Sequence, residues 1–246
     1  MKTESKWLFG QPASDARIRL IGFPFAGGSV AAFQGWSEGL GPQIGLQIVS
    51  LPGRGSRLFD PPCDDWPTLV DVLCAELAPL FDRPVAFFGH SLGALLAFET
   101  ARALRSRGLP LHSLWLSGAE APHRRALKRR LHDLPERDLI EALRDYNGTP
   151  AELLDHAEMM ELLLPGIRAD FALSERYVWQ DQEGGLTCPM HLLLGDADPY
   201  VELPRALAWS ELGAAGMTRH DFNGDHFFLN PHQQAIWQRL QDGLRV

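Results

Sequence analysis

Serine, aspartate and histidine occur in this sequence in an order and setting that suit nucleophilic attack on an acyl carbon. Gly89-His90-Ser91-Leu92-Gly93 has the form G-x-S-x-G and stands between the apolar run PVAFF and the run LGALLAFETARAL. A strand that turns directly into a helix forces the serine into a strained backbone, and small residues two before and two after it avoid collision. The turn lifts the hydroxyl clear and leaves the unpaired N–H groups of the helix start beside it. A serine hydroxyl is a poor nucleophile until a base takes its proton. Among nine histidines, His226 is the candidate base, because it lies late in the chain in the loop NGDHFFLN after a predicted strand. His90 belongs to the turn and is expected to point away from the hydroxyl. His112, His132, His156, His191 and His220 fall inside predicted helices or strands, with no special surroundings expected.

An acid should follow a strand between serine and histidine. MHLLL runs into Gly195-Asp196-Ala197-Asp198-Pro199. Asp198, deeper in the loop, is expected to reach the imidazole, and Asp196 to cap the turn by bonding its own backbone. Pro199 stiffens that loop. The acid would fix the imidazole tautomer and stabilise the imidazolium. For an oxyanion, one donor is expected from the N–H of Leu92. The other is expected from the N–H of Ala26, or of Phe25, in FPFAGG, where paired glycines let backbone approach a ligand. Phe25 and Phe227, with Phe228, flank these loops and would line an acyl pocket or pack the core.

These loops need a scaffold that brings them to one edge. Short apolar runs alternate with amphipathic stretches, the pattern of a mostly parallel sheet flanked by helices. Strands are expected at 17–23, 46–51, 84–89, 111–117 and 190–194, with a weaker one at 217–222. Helices are expected at 68–81, 92–107, 203–212 and 231–244. From about 120 to 185 the alternation stops and the pattern is helical throughout, which predicts a lid over the strands' carboxyl ends. The expectation is one α/β domain over 1–246, of the α/β-hydrolase fold, in which the chain order nucleophile, acid, histidine is the usual one.

Composition narrows the remaining choices. Hydrophobic residues make up 45% of the chain, enough for a sizeable core, and the net charge of −8 argues against general nucleic-acid binding. Residues 1–10 hold no apolar run suited to a signal peptide, and no window has the roughly 20 apolar residues of a membrane span. Cys63, Cys74 and Cys188 are unpaired in number and lack metal-ligand spacing, so no metal or cofactor is expected and the cytoplasm is the expected compartment. The basic run HRRALKRR at 123–130 is either a solvated face or a patch steering an acidic partner. Arg54 and Arg57, in LPGRGSR, are expected at the pocket mouth or solvated.

The set FPFAGG, LPGRGSR, GHSLGALLAFETARAL, LLLGDADPYV and GDHFFLN resembles the type II thioesterases that accompany nonribosomal peptide and polyketide synthases. The likeness continues through LHDLPERDLIEALRDYNGTPAELL and LLPGIRADFALSERYVW, from about Leu20 to Asn230. It implies hydrolysis of acyl or aminoacyl groups from phosphopantetheinylated carrier domains without a cofactor, and a monomer is expected. It carries the triad to Ser91, Asp198 and His226 and the oxyanion donors to Ala26 and Leu92. A carboxylesterase acting on small oxygen esters, or a non-catalytic binding protein on the same scaffold, are the competing readings.

Overall fold

Period-two burial on the strands determines the architecture. In β4 (Val85–His90), Val85 and Phe87 pack into one apolar cluster while Ala86 and Phe88 pack into another. Alternate side chains leave a strand on opposite faces, so a strand buried along its whole length must be covered on both sides. The computed structural model describes residues 5–11, 14–126, 130–182 and 184–245.

Seven strands form one sheet among these residues, in the order β1-β3-β2-β4-β5-β6-β7. They are β1 (Leu8–Phe9), β2 (Ile18–Phe23), β3 (Ile44–Val49), β4, β5 (Ser113–Ser117), β6 (Met190–Gly195) and β7 (Met217–Phe222). Only β1 runs antiparallel, pairing Leu8 with Val49. All other pairs are parallel, and β4 sits at the centre between β2 and β5. Helices α2 (Trp66–Leu77) and α3 (Leu92–Ser106) cover one face, with Leu73, Leu77, Leu96 and Leu104 buried in the first cluster. Helices α1 (Trp36–Leu40) and α8 (Gln233–Gly243) cover the other, through Trp36, Ile236 and Leu240. The start of α2 is fixed locally, since the Asp65 carboxylate accepts from the Thr68 N–H at 3.0 Å.

Between β5 and β6 lie α4 (Glu136–Tyr146), α5 (Ala151–Leu154) and α6 (Ala157–Arg176), which share a separate apolar cluster built on Leu139, Leu143, Met160 and Leu164. The helical stretch is shorter than the sequence pattern suggests. The described residues before Glu136 and after Arg176 are turns and irregular chain. Pro122, Pro135 and the Gly184-Gly185 pair explain part of this, because proline and glycine favour turns over helix interiors. The described residues of the basic run, 123–126 and Arg130, are turn and irregular chain, and its Lys128 and Arg129 lie outside the described residues. Helix α7 (Leu203–Leu207) and a 3-10 turn at Ala208–Leu212 replace the single helix expected at 203–212.

Candidate active site

Ser91 sits between β4 and α3 with φ +56°, one of two non-glycine residues at positive φ among those described. This turn explains the flanking glycines by direct collision. A Cβ on Gly89 would lie 2.2 Å from the Gly93 carbonyl oxygen, and one on Gly93 would lie 2.0 Å from that of Phe23. The Ser91 N–H donates to the Ser117 carbonyl at 2.8 Å, tying the turn to the end of β5.

The carboxyl ends of β6 and β7 bring in the other two residues. Asp198 accepts from His226, with Oδ2 2.7 Å from Nδ1, and both side chains are at most 3% exposed. The second oxygen of Asp198 accepts from the Tyr200 N–H at 2.8 Å. A carboxylate held at both oxygens keeps one orientation, and so does the ring it bonds. Asp196 differs from expectation: it bonds not its own backbone but the Gly224 N–H at 2.9 Å, in the loop that carries His226. The two aspartates thus divide the work, one gripping the histidine and the other its loop. His90 turns to Ser117, Nδ1 to Oγ 3.0 Å, beneath the His226 ring. Burial and the adjacent His226 hold its pKa well below the ordinary histidine value, which keeps the ring neutral.

Ser91 and His226 open onto one cavity of about 480 Å³ whose wall includes Leu95, Tyr146, Phe171, Tyr177 and Trp179. That volume falls in the range of small-molecule sites. Tyr146, the last residue of α4, is the wall residue that sequence reasoning missed. Its hydroxyl lies 3.4 Å from Nε2 of His226, and it is also within hydrogen-bonding reach of Ser91. Burial pushes its pKa up to about 12, against the opposing effect of the Ser91 hydrogen bond, so it stays a neutral phenol. Phe25 and Phe227 stack edge to face at 4.9 Å beside His90 and His226. Leu92 opens α3, where its N–H has no partner within the helix. Ala26 lies in the tight turn Phe25–Gly28, closed by the Gly28 N–H donating to the Phe25 carbonyl at 2.8 Å.

Several polar residues of the sequence find specific partners. Arg54 is 6% exposed, not solvated, and pairs with Asp170 of α6. Arg57 holds Asp60 at 2.9 Å and lies over the Trp7 ring. In the basic run, Arg124 pairs with Glu211 at 3.1 Å and Arg125 donates to Ser174, which leaves Arg130 as its other described arginine. Three histidines expected to be unremarkable are not. His132 pairs with Glu175, and His191 stacks on Trp115 at 3.7 Å while contacting His220 at 3.2 Å. No group of three or more metal-ligating side chains converges among the described residues, and no helix there is long and apolar enough to cross a membrane.

A strained serine, a paired histidine and aspartate, and a helical cover over a parallel sheet describe a hydrolase of the α/β fold. Residues 18–244 match the model of the thioesterase domain family. The chain belongs to this family. The thioesterase is 37% identical over 245 residues to the gramicidin S biosynthesis protein GrsT of Aneurinibacillus migulanus, covering 98% of this chain and 95% of that one. Its fold is similar to that of BorB, a type II thioesterase from the borrelidin biosynthetic cluster, with a TM-score of 0.89 and 34% identity over 99% of both chains. It is also similar to RedJ, the thioesterase of the prodiginine pathway in Streptomyces coelicolor, with a TM-score of 0.87 and 37% identity over 95% of this chain and 89% of that one. The family makes this an enzyme that hydrolyses thioesters.

Proposed function

We propose that this thioesterase removes stalled or misloaded acyl and aminoacyl groups from the phosphopantetheine thiol of carrier domains in a nonribosomal peptide or polyketide assembly line. The relatives named above for gramicidin S, borrelidin and prodiginine pathways support that setting. Three free cysteines fit work in the reducing cytoplasm. The observation that carries the chemistry is the 2.7 Å bond between His226 and Asp198 in a cavity shared with Ser91.

In this reading His226 Nε2 takes the Ser91 proton as Oγ attacks the thioester carbonyl. Asp198 holds the proton on Nδ1, so Nε2 is free to act as base. The N–H groups of Leu92 and Ala26 receive the oxyanion of the tetrahedral intermediate. Collapse breaks the C–S bond, and His226 returns its proton to the departing thiolate. Water then attacks the acyl-enzyme with the same histidine as base, which releases the acid and restores the Ser91 hydroxyl.

The test compares acetyl-loaded carrier protein with a matched acetyl oxygen ester, using wild type and Ser91→Ala. Faster cleavage of the carrier thioester and at least a 1,000-fold loss in the variant are the expected results. Turnover that survives in Ser91→Ala overturns the mechanism. Equal or better turnover of the oxygen ester makes the protein a general esterase.

A further inference from the structure

The turn that holds Ala26 is clamped from two sides by one buried ion pair. Asp170 is 1% exposed and Arg54 6%. Their pairing is two-pronged: Arg54 Nη2 donates to Asp170 Oδ1 at 2.7 Å, and Nη1 to Oδ2. Each partner also holds the turn. Asp170 Oδ2 accepts from the Gly27 N–H at 2.7 Å, and Arg54 Nη1 donates to the Gly28 carbonyl at 3.1 Å. The four residues Phe25 to Gly28 form a turn with Gly27, at φ +76°, in its third position. Positive φ there marks a type II turn, which differs from type I by a flip of the central peptide plane. That plane carries the Gly27 N–H. The carboxylate that accepts this N–H therefore selects the flipped turn, and Arg54 at the Gly28 carbonyl holds its far end, so the pair fixes in place the turn whose second residue, Ala26, presents its own N–H from the preceding peptide. No protein acceptor among the described residues takes the Ala26 N–H, so it is free for a ligand.

The clamp spans two elements that meet at close quarters. A Cβ on Gly166 would lie 2.6 Å from the Gly53 carbonyl oxygen, and one on Gly27 would lie 3.3 Å from Ile167. Thus the second half of α6 rests on the loop after β3 and on the turn after β2, and Asp170 projects into their junction. An ion pair at such a junction is a poor way to gain stability, because apolar residues of similar volume do as well or better. Its four directed bonds instead fix a backbone geometry.

We propose that Asp170 and Arg54 are positioning residues for the oxyanion donor Ala26, so that a residue of the helical insertion sets the strength of transition-state binding. This rests on the reaction proposed above. Neither side chain touches the substrate. They act by holding in place the turn that carries the Ala26 N–H, and their loss should lower the rate of acylation more than substrate binding.

The test uses the full chain and a small acetyl thioester, with an alkyl boronic acid as a mimic of the tetrahedral intermediate on Ser91. Asp170→Asn keeps the size and an acceptor but breaks the two-pronged pairing, and Arg54→Met/Asp170→Leu removes both charges, so no unpaired ion remains buried. Arg54→Lys is the conservative control. Active sites are counted by complete phosphonate labelling, so that unfolded protein does not enter the rate. The expected result is a 30- to 300-fold fall in kcat per labelled site in the first two variants. KM should change less than threefold, boronate affinity should fall in proportion to kcat, and Arg54→Lys should recover part of the loss. Fewer labelled sites with an unchanged rate per site would make the pair merely structural and overturn the proposal. The double variant matters because it folds without an unpaired buried charge, and wild-type kcat there also overturns it. If Ser91→Ala stays active, the reaction scheme fails instead, whatever the clamp variants do.

Discussion

Tyr146 lines the cavity shared by Ser91 and His226, with its hydroxyl 3.4 Å from Nε2 of His226. Its ring also meets Tyr200 at 4.5 Å and Phe171 at 5.9 Å, so it forms part of the cavity wall as well as a hydrogen-bond partner. These roles separate by mutation. Tyr146→Phe keeps the ring and should leave kcat/KM for acetyl thioesters within about fivefold, since the bond is long and its loss exposes no buried charge. Tyr146→Ala removes the wall and should shift preference toward longer acyl chains by about tenfold, or one well-packed methylene pair. A series of acyl thioesters from acetyl to octanoyl reads both effects. An unchanged chain-length profile in Tyr146→Ala would exclude Tyr146 as a size determinant. The residues that the sequence makes legible are those with near neighbours in the chain. Gly89 and Ser91 collide or strain within five positions, Gly93 is legible through the same short motif although the carbonyl it avoids belongs to Phe23, and Asp198 and His226 each follow a strand. Tyr146 and Asp170 escape because the contacts that matter, to residues 80 and 143 positions away, exist only once the helices are folded over the sheet.

At the level of elements, β6 and β7 do more than carry Asp198 and His226 at their ends. His191 and His220 lie side by side across this pair, stacked on Trp115 of β5. Burial, aided by the neighbouring His220, lowers the His191 pKa to about 4, and burial also lowers that of His220. The unfolded chain takes up these protons near the ordinary value of about 6.5. Between that pH and about 4 the unfolded state binds more protons than the folded one. Stability is therefore full above the unfolded value and declines as the pH falls through this window. For the partly exposed His191, solvent screening leaves about 1 kcal/mol between pH 7 and pH 5. His191→Phe keeps a ring against Trp115 and should flatten this loss, seen as a smaller shift of the urea midpoint between the two pH values. An equal shift in the variant would remove His191 from the acid response. The strands themselves were foreseeable from apolar runs, down to the weak one at 217–222. The two-residue β1 was not, because such a short pairing has no periodicity to read. Nor were the ends of the helical insertion, where turn residues interrupt an otherwise amphipathic pattern.

Over the whole molecule the parallel sheet collects the site from the carboxyl ends of β2, β4, β6 and β7, strands far apart in sequence. The proposed nucleophile, Ser91, follows the central strand, whose residues are buried. The base does not. It hangs from β7, which pairs only with β6 and has no buried residue among its six. Opening of a protein is not uniform, and edge elements with few buried contacts detach at lower cost than the core. Release of β7 alone would carry His226 away from Ser91 while β2 to β5 stay paired. Thioester turnover should therefore vanish at a lower urea concentration than the far-ultraviolet circular dichroism of the sheet and helices. Coincident midpoints would mean that β7 melts only with the rest. With separate midpoints, the catalytic lifetime of this enzyme is governed by the edge strand next to His226, and stitching β7 more firmly to β6 would prolong activity without touching a single reacting group.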